Sequence, residues 1–316
     1  MAESAEEQFS CCQQEPYTHH DIPSGPDAIV VREIYYPIMI DAQSREIFRQ
    51  GSRTYYFSSM FFPEPYKSDV FTLYAFVRKA DDFVDAIPQD EQGFNEFESA
   101  FWRALAGAPT PETNSIILNF VSLVRRVNIP EDWIRAFLTA MRLDIYKKRY
   151  ASIDETCHYM YGSAEVIGLM LMRIFKLEPD SEQGARLLGR AMQYINMIRD
   201  VAEDIELGRQ YLPIDEYAQY GLRSDVPLSK EVALDCPSAF SRYMRAQLQR
   251  QMGWMALARK SFRYLPRSLR IPVSTASQMY DWTAAQIMAD PLIVWQKQIK
   301  PTATRVLITG LRTSLS

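Results

Sequence analysis

Two stretches of this chain repeat one arrangement of acids. In YAFVRKADDFVD, residues 74–85, Tyr74, Arg78, Asp81 and Asp85 fall at i, i+4, i+7 and i+11. In QYINMIRDVAED, residues 193–204, Gln193, Asn196, Asp200 and Asp204 fall at i, i+3, i+7 and i+11. At about 100° per residue each set projects along one stripe of a helix. Each stripe carries two carboxylates one turn apart, with polar companions a turn or two ahead. A solvated face is the ordinary fate of such acids. Asp is a poor helix former, however, and like charges at i, i+4 repel by about a few tenths of a kcal/mol. The flanks are apolar as well: Phe76, Val77, Phe83 and Val84 in one, Ile195, Met197, Ile198 and Val201 in the other. Helices of that kind pack on several sides. Carboxylates on them need compensation, no basic neighbour stands ready for each, and a hard cation is the natural partner. Mg²⁺ takes oxygen ligands and combines carboxylates with substrate phosphates. Two facing Asp pairs would hold Mg²⁺ against a diphosphate and offset the charge that develops on that leaving group.

The composition removes most rival chemistries. The 12 glycines include no two that stand two apart, so there is no G-x-G-x-x-G fingerprint, and no G-K-[ST] offers a P-loop. The three histidines are His19, His20 and His158. Two of them lie in a polar leader, which leaves too little material for a His-rich zinc site or most Ser-His-Asp triads. Four cysteines without a C-x-x-C pair point to a reducing compartment. Residues 1–31 carry six acids and no Lys or Arg, which excludes a signal or transit peptide there. No apolar run reaches the ~18 residues of a membrane span. The net charge of −4 hides an asymmetry: residues 241–316 hold 12 Lys plus Arg against Asp281 and Asp290. A basic end on an acidic protein suits an anionic partner such as phosphate groups or a membrane surface.

The acids need helices to position them. Apolar residues recur at three and four rather than two, over 41–62, 67–86, 91–106, 112–127, 131–149, 153–176, 181–206, 237–264, 267–289 and 291–312. Breakers such as Pro63, Pro88, Pro130, Pro213, Pro266 and Pro291 separate them. No alternating strand and no repeat of 20–50 residues is found. The reading is all-α: a polar, mobile leader over 1–30 and one domain over 31–316, with 207–229 as its longest irregular piece.

With these motifs in order, the chain resembles the squalene/phytoene synthase family of head-to-head prenyl synthases. The resemblance covers roughly residues 45–305. DDFVD at 81–85 matches the first acidic motif and NMIRDVAED at 196–204 the second, which continues into GRQYLP at 208–213. Ser52, Arg53, Thr54 and Tyr55 match the entry motif, YMYGSAEVIG at 159–168 the central one, and Tyr280, Lys297 and Arg305 the last phosphate-contacting positions. GSRTYYFSS, ADDFVDAIPQD and YGSAEVIGLM look most like phytoene synthases of archaeal type. The chain departs from the pattern at Gly51, at Ala164-Glu165 where relatives often have Ala-Gly, and at Lys297 where many have Arg. Lys lacks the bidentate grip of Arg on phosphate.

The resemblance implies a single-domain isoprenoid synthase bundle of helices around a central cavity. It implies condensation of two geranylgeranyl diphosphates to phytoene, in carotenoid biosynthesis. One diphosphate leaves, the allylic cation is captured by the double bond of the second molecule, and a cyclopropyl intermediate, prephytoene diphosphate, results. A second ionisation, rearrangement and proton loss give phytoene, whereas squalene needs a hydride at that step. Asp81, Asp85, Asp200 and Asp204 would carry Mg²⁺, or Mn²⁺ in its place, and Asn196 would ligate the metal or hold a phosphate oxygen of the substrate; no nicotinamide is expected. Asp82 and Glu203 lie off the main stripes. Ser52, Arg53, Thr54, Tyr55, Arg78, Gln193, Arg199, Lys297 and Arg305 would bind substrate, the cations as charge-assisted donors to diphosphate. Tyr74, Tyr159 and Tyr280 would hydrogen-bond diphosphate or steady a carbocation, Tyr159 as a catalytic residue. Ser59, one turn beyond Tyr55, would leave room for a twenty-carbon tail where some fifteen-carbon relatives carry an aromatic.

The rival in the same fold is a squalene or dehydrosqualene synthase acting on farnesyl diphosphate. A non-catalytic assembly relative would have lost acids that this chain keeps. Nucleic acid is not an expected partner, since the acidic stripes repel it. The expected location is the cytoplasm, with peripheral attachment to the inner face of the membrane through the basic C-terminal quarter and Trp254, Trp282 and Trp295.

Overall fold

The computed structural model describes residues 53–315, with side chains from Tyr56 onward. The leader over 1–30 and Ser52 lie outside the described residues, as do the side chains of Arg53, Thr54 and Tyr55. Helices account for nearly all the regular structure: α1 (Arg53–Ser59), α2 (Tyr66–Asp85), α3 (Glu91–Leu105), α4 (Ser115–Val127), α5 (Glu131–Tyr146), α6 (Ile153–Met160) and α7 (Val166–Ile174). They continue with α8 (Glu182–Arg199), α9 (Val201–Glu206), α10 (Tyr217–Tyr220), α11 (Lys230–Asp235), α12 (Pro237–Arg259), α13 (Arg267–Ala289) and α14 (Ala303–Leu315). Among the described residues no strand forms, and the one isolated bridge pairs Arg149 with Gln210 in parallel. The all-α expectation holds.

Local chemistry sets the helix ends. Asp90 caps α3 by accepting from the Gly93 N–H at 2.8 Å, and Asn114 caps α4 from Ile116 at 2.8 Å. Pro130 precedes α5, with Glu131 and Asp132 in its first turn at the positive end of the dipole. The stretch expected to be one helix over 153–176 is helical from Ile153 to Ile174, but Tyr161–Glu165 widens into a π-type turn between α6 and α7. The stretch over 181–206 bends at Asp200, whose backbone leaves helical geometry (φ −97°, ψ 15°). The helix expected over 291–312 is broken. A 3₁₀ turn covers Pro291–Trp295 and α14 starts only at Ala303, because Pro301 cannot continue a helix.

The central helices divide their faces. On α2, Phe76, Ala80 and Val84 are fully buried one turn apart. Phe76 stacks on Phe120 of α4 at 4.0 Å between ring centroids and meets Phe97, Phe101 and Phe137. The opposite stripe, Val70, Tyr74, Val77, Arg78, Asp81 and Asp85, faces a cavity. On α8, Ala191, Tyr194, Ile195 and Ile198 are buried. Tyr194 donates to Gln247 of α12 at 2.5 Å, and Gln251 donates to the Ala191 carbonyl at 3.2 Å. The other α8 stripe lines the same cavity. Two acidic stripes are thus aimed at one space because the back of each helix is anchored in core.

Candidate active site

The cavity holds about 940 Å³. Its walls come from α2, α5, the π turn, α7, α8 and the chain after α12, and its polar groups gather at one end. There the structure brings together Tyr74, Arg78, Asp81, Asp85, Tyr159, Gln193, Asn196, Arg199, Asp200, Asp204 and Tyr280. The sequence-predicted acids therefore meet across the cavity. The charges of Asp200, Asp144 and Asp85 all act on Asp204.

Three of the four acids, Asp81, Asp85 and Asp200, pair with an arginine, contrary to the expectation from sequence. Arg78 reaches Asp82 at 2.8 Å, Asp81 at 3.4 Å and Asp85 at 4.0 Å. Arg199 grips its neighbour Asp200, Nε to Oδ1 at 2.6 Å, with Nη2 on Oδ2. Arg209 donates from Nη1 to Asp85 at 2.8 Å, from Nη2 to the Val84 carbonyl and from Nε to the Asp144 carbonyl at 3.2 Å. Even so, burial, followed by the repulsion of Asp85, pushes the Asp81 carboxyl above the usual carboxylate range. Burial and Asp200 push Asp204 up likewise.

Sequence reasoning missed three residues here. Asp144 is only 2% exposed and accepts from Tyr159 at 2.7 Å and Tyr211 at 2.6 Å. Burial raises it to about 6, against the opposing pull of Arg209 and the two phenols. The three rings of Tyr150, Tyr159 and Tyr211 pack together, Tyr159 and Tyr211 stacked at 5.0 Å. Burial raises the phenols of Tyr159 and Tyr211 well above the ordinary tyrosine value. The signal for Asp144 was present: it shares an α5 stripe with Phe137 and Met141, an acid on an apolar face. Arg209 and Tyr211 lay within GRQYLP, read only as a motif. Gly208, left-handed at φ +74°, ends α9 and turns Arg209 inward. Lys148 and Tyr150 then pair with Gln210 and fix that turn.

Other predicted residues stand elsewhere. Ser59 is buried, but its hydroxyl donates to the Tyr56 carbonyl at 2.8 Å and it does not line the cavity. Lys297 is exposed, following the 3₁₀ turn, and also lies off the cavity. The break before α14 instead brings Lys300 to the mouth, with Gln298, Pro301 and Thr302. Gln298 donates to Glu203 across that rim. Arg305 is exposed with its guanidinium 4.8 Å over the Trp282 ring. The α1 backbone holds Arg53, Thr54 and Tyr55 in a helix.

Among the described residues no three acidic, His or Cys side chains are gathered to hold a metal as placed. The arginines occupy carboxylate oxygens that a cation would take. The donor set nevertheless suits a hard divalent ion: half-buried, mutually repelling carboxylates, and the buried Oδ1 of Asn196, which has no hydrogen-bond partner.

A helical bundle around a cavity that is apolar at one end and rimmed by two acid-bearing helices at the other defines an isoprenoid synthase fold. The chain is similar to a squalene synthase, HpnC, from Alicyclobacillus acidocaldarius, with a TM-score of 0.68 at 21% identity over 78% of this chain and 92% of that one. It is similar to a dehydrosqualene synthase solved with a ligand, with a TM-score of 0.69 at 20% identity over 86% and 94%. The family described as squalene/phytoene synthase matches residues 48–306, and the chain belongs to that family. Members of that family are prenyltransferases. Among relatives, phytoene synthase 2, chloroplastic, of Zea mays is 28% identical over 261 residues. That match covers 79% of this chain and 63% of the maize protein. The 15-cis-phytoene synthase of Synechococcus elongatus is 28% identical over 254 residues, covering 75% and 80%.

Proposed function

We propose that the chain condenses two geranylgeranyl diphosphates head to head to phytoene. The observation that carries this reading is the cavity itself: a long apolar space closed at one end by two facing acidic stripes, Asp81 with Asp85 and Asp200 with Asp204. An apolar chain with a diphosphate head is the ligand chemistry such a space fits. Similarity to phytoene synthases supports the product.

Asp81, Asp85, Asp200, Asp204 and Asn196 would hold Mg²⁺, or Mn²⁺ in its place. The ion, when bound, supplies a Lewis acid for the departing diphosphate. Arg78 and Arg199, freed from the carboxylates, would turn to diphosphate oxygens, with Lys300 at the mouth. Lys300 takes the place expected of Lys297. The apolar walls keep water from a carbocation. Tyr159 gives its only proton to Asp144, so its oxygen offers lone pairs to cationic carbon in the cavity. No hydride is needed to reach phytoene, so no nicotinamide is expected.

Peripheral attachment to an anionic membrane belongs to the same proposal, since substrate and product are lipids. Helix α14 carries Arg305 and Arg312 and no acid, leaves Leu307, Ile308, Leu311 and Leu315 exposed, and follows directly on the rim residues Lys300–Thr302. Among the described residues no helix is long and apolar enough to cross a membrane.

Incubation with geranylgeranyl diphosphate, with Mg²⁺ or with excess EDTA, tests the reading. Phytoene and released diphosphate are expected with the metal and neither with EDTA. Full turnover in EDTA would remove the metal-dependent mechanism.

A further inference from the structure

The cavity wall on α7 and the turn before it follows one helical stripe: Ala164, Gly168, Leu171 and Phe175, at i, i+4, i+7 and i+11. Tyr159 lines the same cavity from α6, yet its position in sequence is out of phase with that stripe. In an unbroken α-helix, at about 100° per residue, Tyr159 would point ~140° from Ala164 and ~180° from Gly168. The π turn between them corrects the phase. Its Val166 N–H donates to the Tyr161 carbonyl, five residues back rather than four. The turn thus takes up one residue, or ~100°, and brings Tyr159 to within ~40° of Ala164. Tyr159 can then reach Asp144 and the cavity while α7 keeps its wall.

Such a turn is rare and does not hold itself. In an α-helix the Ser163 hydroxyl could bond the carbonyl four residues back, but here its Oγ is buried with no hydrogen-bond partner. The groups that hold the turn lie off the cavity. Glu165, its last residue, is fully buried. Each carboxylate oxygen accepts from one arginine of α8, Oε2 from Arg186 Nε at 2.9 Å and Oε1 from Arg190 Nε at 2.6 Å. The Arg186 guanidinium also lies 5.3 Å over the ring of Tyr161, the first residue of the turn, so one side chain spans both ends. Gly162 and Gly189 let the turn sit close between α5 and α8: a Cβ on either would collide with backbone, at the Ala136 and Ala164 carbonyls. Glu165, Arg186 and Arg190 do not line the cavity. An apolar residue would fill the place of Glu165 at a lower desolvation cost, so the ion triad is better explained by the direction it imposes.

We infer that Glu165 is a positioning residue: paired with Arg186 and Arg190, it holds the π turn and so sets where Tyr159 stands against the reacting carbon. This rests on reading the cavity as the site of the condensation. Without the clamp the turn relaxes toward an α-helix, Tyr159 swings away from the allylic cation, and water captures part of it. In that side step the C–O bond of the allylic diphosphate breaks and diphosphate leaves. Water then forms a new C–O bond and its proton passes to solvent, giving a prenyl alcohol and no hydrocarbon.

The test is the number of diphosphates released per phytoene formed, with geranylgeranyl diphosphate and Mg²⁺, in wild type, Glu165→Gln, Tyr159→Phe and the double variant. A loss of folded protein lowers both quantities together, so their ratio reads position and not stability. Wild type gives two, since two substrates are joined. Glu165→Gln raises the ratio by about twofold or more, with prenyl alcohol as the added product, and lowers kcat for phytoene by about tenfold or more. Because Glu165 acts through Tyr159, adding Glu165→Gln to Tyr159→Phe moves the ratio no further. Arg190→Gln, which leaves Glu165 paired with Arg186, shifts the ratio the same way by less, and it carries the test if melting curves show Glu165→Gln unfolded. A folded Glu165→Gln with a ratio of two, or effects that multiply in the double variant, overturns the inference and leaves the condensation intact. A wild type that forms no hydrocarbon overturns the reading on which the inference rests, and the inference with it.

Discussion

Asp81 and Asp85 stand one turn apart on α2 yet answer to different neighbours. Arg209, only 3% exposed, commits its guanidinium to Asp85 and to two carbonyls. Asp81 faces Arg78 at 3.4 Å and is pushed toward its neutral form by burial and by Asp85. Both Asp81→Asn and Asp85→Asn should lose most activity, but their stabilities should part. Asp85→Asn weakens a charge-assisted bond to a buried cation and should cost about 1–3 kcal/mol. Asp81→Asn relieves repulsion and should leave the melting temperature unchanged or higher; equal falls in the two would contradict this assignment. A pH dependence follows from the same groups. Asp144, at about 6, and Asp81 and Asp204, also raised, hold protons above the unfolded value of about 4. Between those values the folded state binds more protons than the unfolded one, so metal-free stability falls as pH rises. Mg²⁺ held by these carboxylates would displace those protons, and its stabilisation should then be larger at pH 8 than at pH 5 in thermal melts. An equal or smaller shift at pH 8 would count against carboxylate ligation. Spacing alone revealed the four acids. The pairing of Arg209 with Asp85 escaped notice because Arg209 arrives from more than a hundred positions away, through a turn that Gly208 permits.

At the scale of elements, two glycines set how closely the cavity walls approach. A Cβ on Gly168 of α7 would collide with the Ala185 carbonyl, and one on Gly189 of α8 with the Ala164 carbonyl. Backbone cannot yield as a flexible side chain does, so Gly168→Ala and Gly189→Ala should each destabilise by about 1–3 kcal/mol. Gly253 is the contrast. It lies inside α12, is exposed and has nothing within 4 Å of its added Cβ. Gly253→Ala should instead stabilise by about 0.5–1 kcal/mol. Urea midpoints at unchanged slope measure all three, and destabilisation by Gly253→Ala or neutrality at the other two would contradict the packing described. Helix periodicity identified most of these elements, since the apolar stripes of α2, α5 and α8 are strong. It failed where no stripe is involved. The break before α14 turns on Pro301 alone, and it exchanged Lys297 for Lys300 at the mouth. The π turn at Tyr161–Glu165 leaves no periodic trace, although it presents Ser163 and Ala164 to the cavity.

Over the whole molecule, charge is unevenly distributed along the chain. The basic C-terminal quarter includes α14, whose exposed Leu307, Ile308, Leu311 and Leu315 lie close in sequence to the cavity rim at Lys300–Thr302. A surface of that kind suits an anionic bilayer, worth about 1 kcal/mol per nearby cation and screened by salt. Co-sedimentation should therefore favour anionic over neutral vesicles at low salt and fall several-fold in Leu307→Glu/Leu311→Glu, which leaves the cavity intact. Equal recovery on both vesicle types would contradict it. The asymmetry of charge was legible in the composition, but the exposed face of α14 needed its packing against α13 and α1 to be known. The central claim, that one acid-ended cavity joins two twenty-carbon diphosphates, is tested most directly by a competition. The protein is given equimolar geranylgeranyl and farnesyl diphosphates with Mg²⁺ and no nicotinamide, and the hydrocarbons are separated and weighed by mass spectrometry. The account predicts forty-carbon phytoene as the main product. A thirty-carbon product in excess, or no hydrocarbon at all, would contradict it.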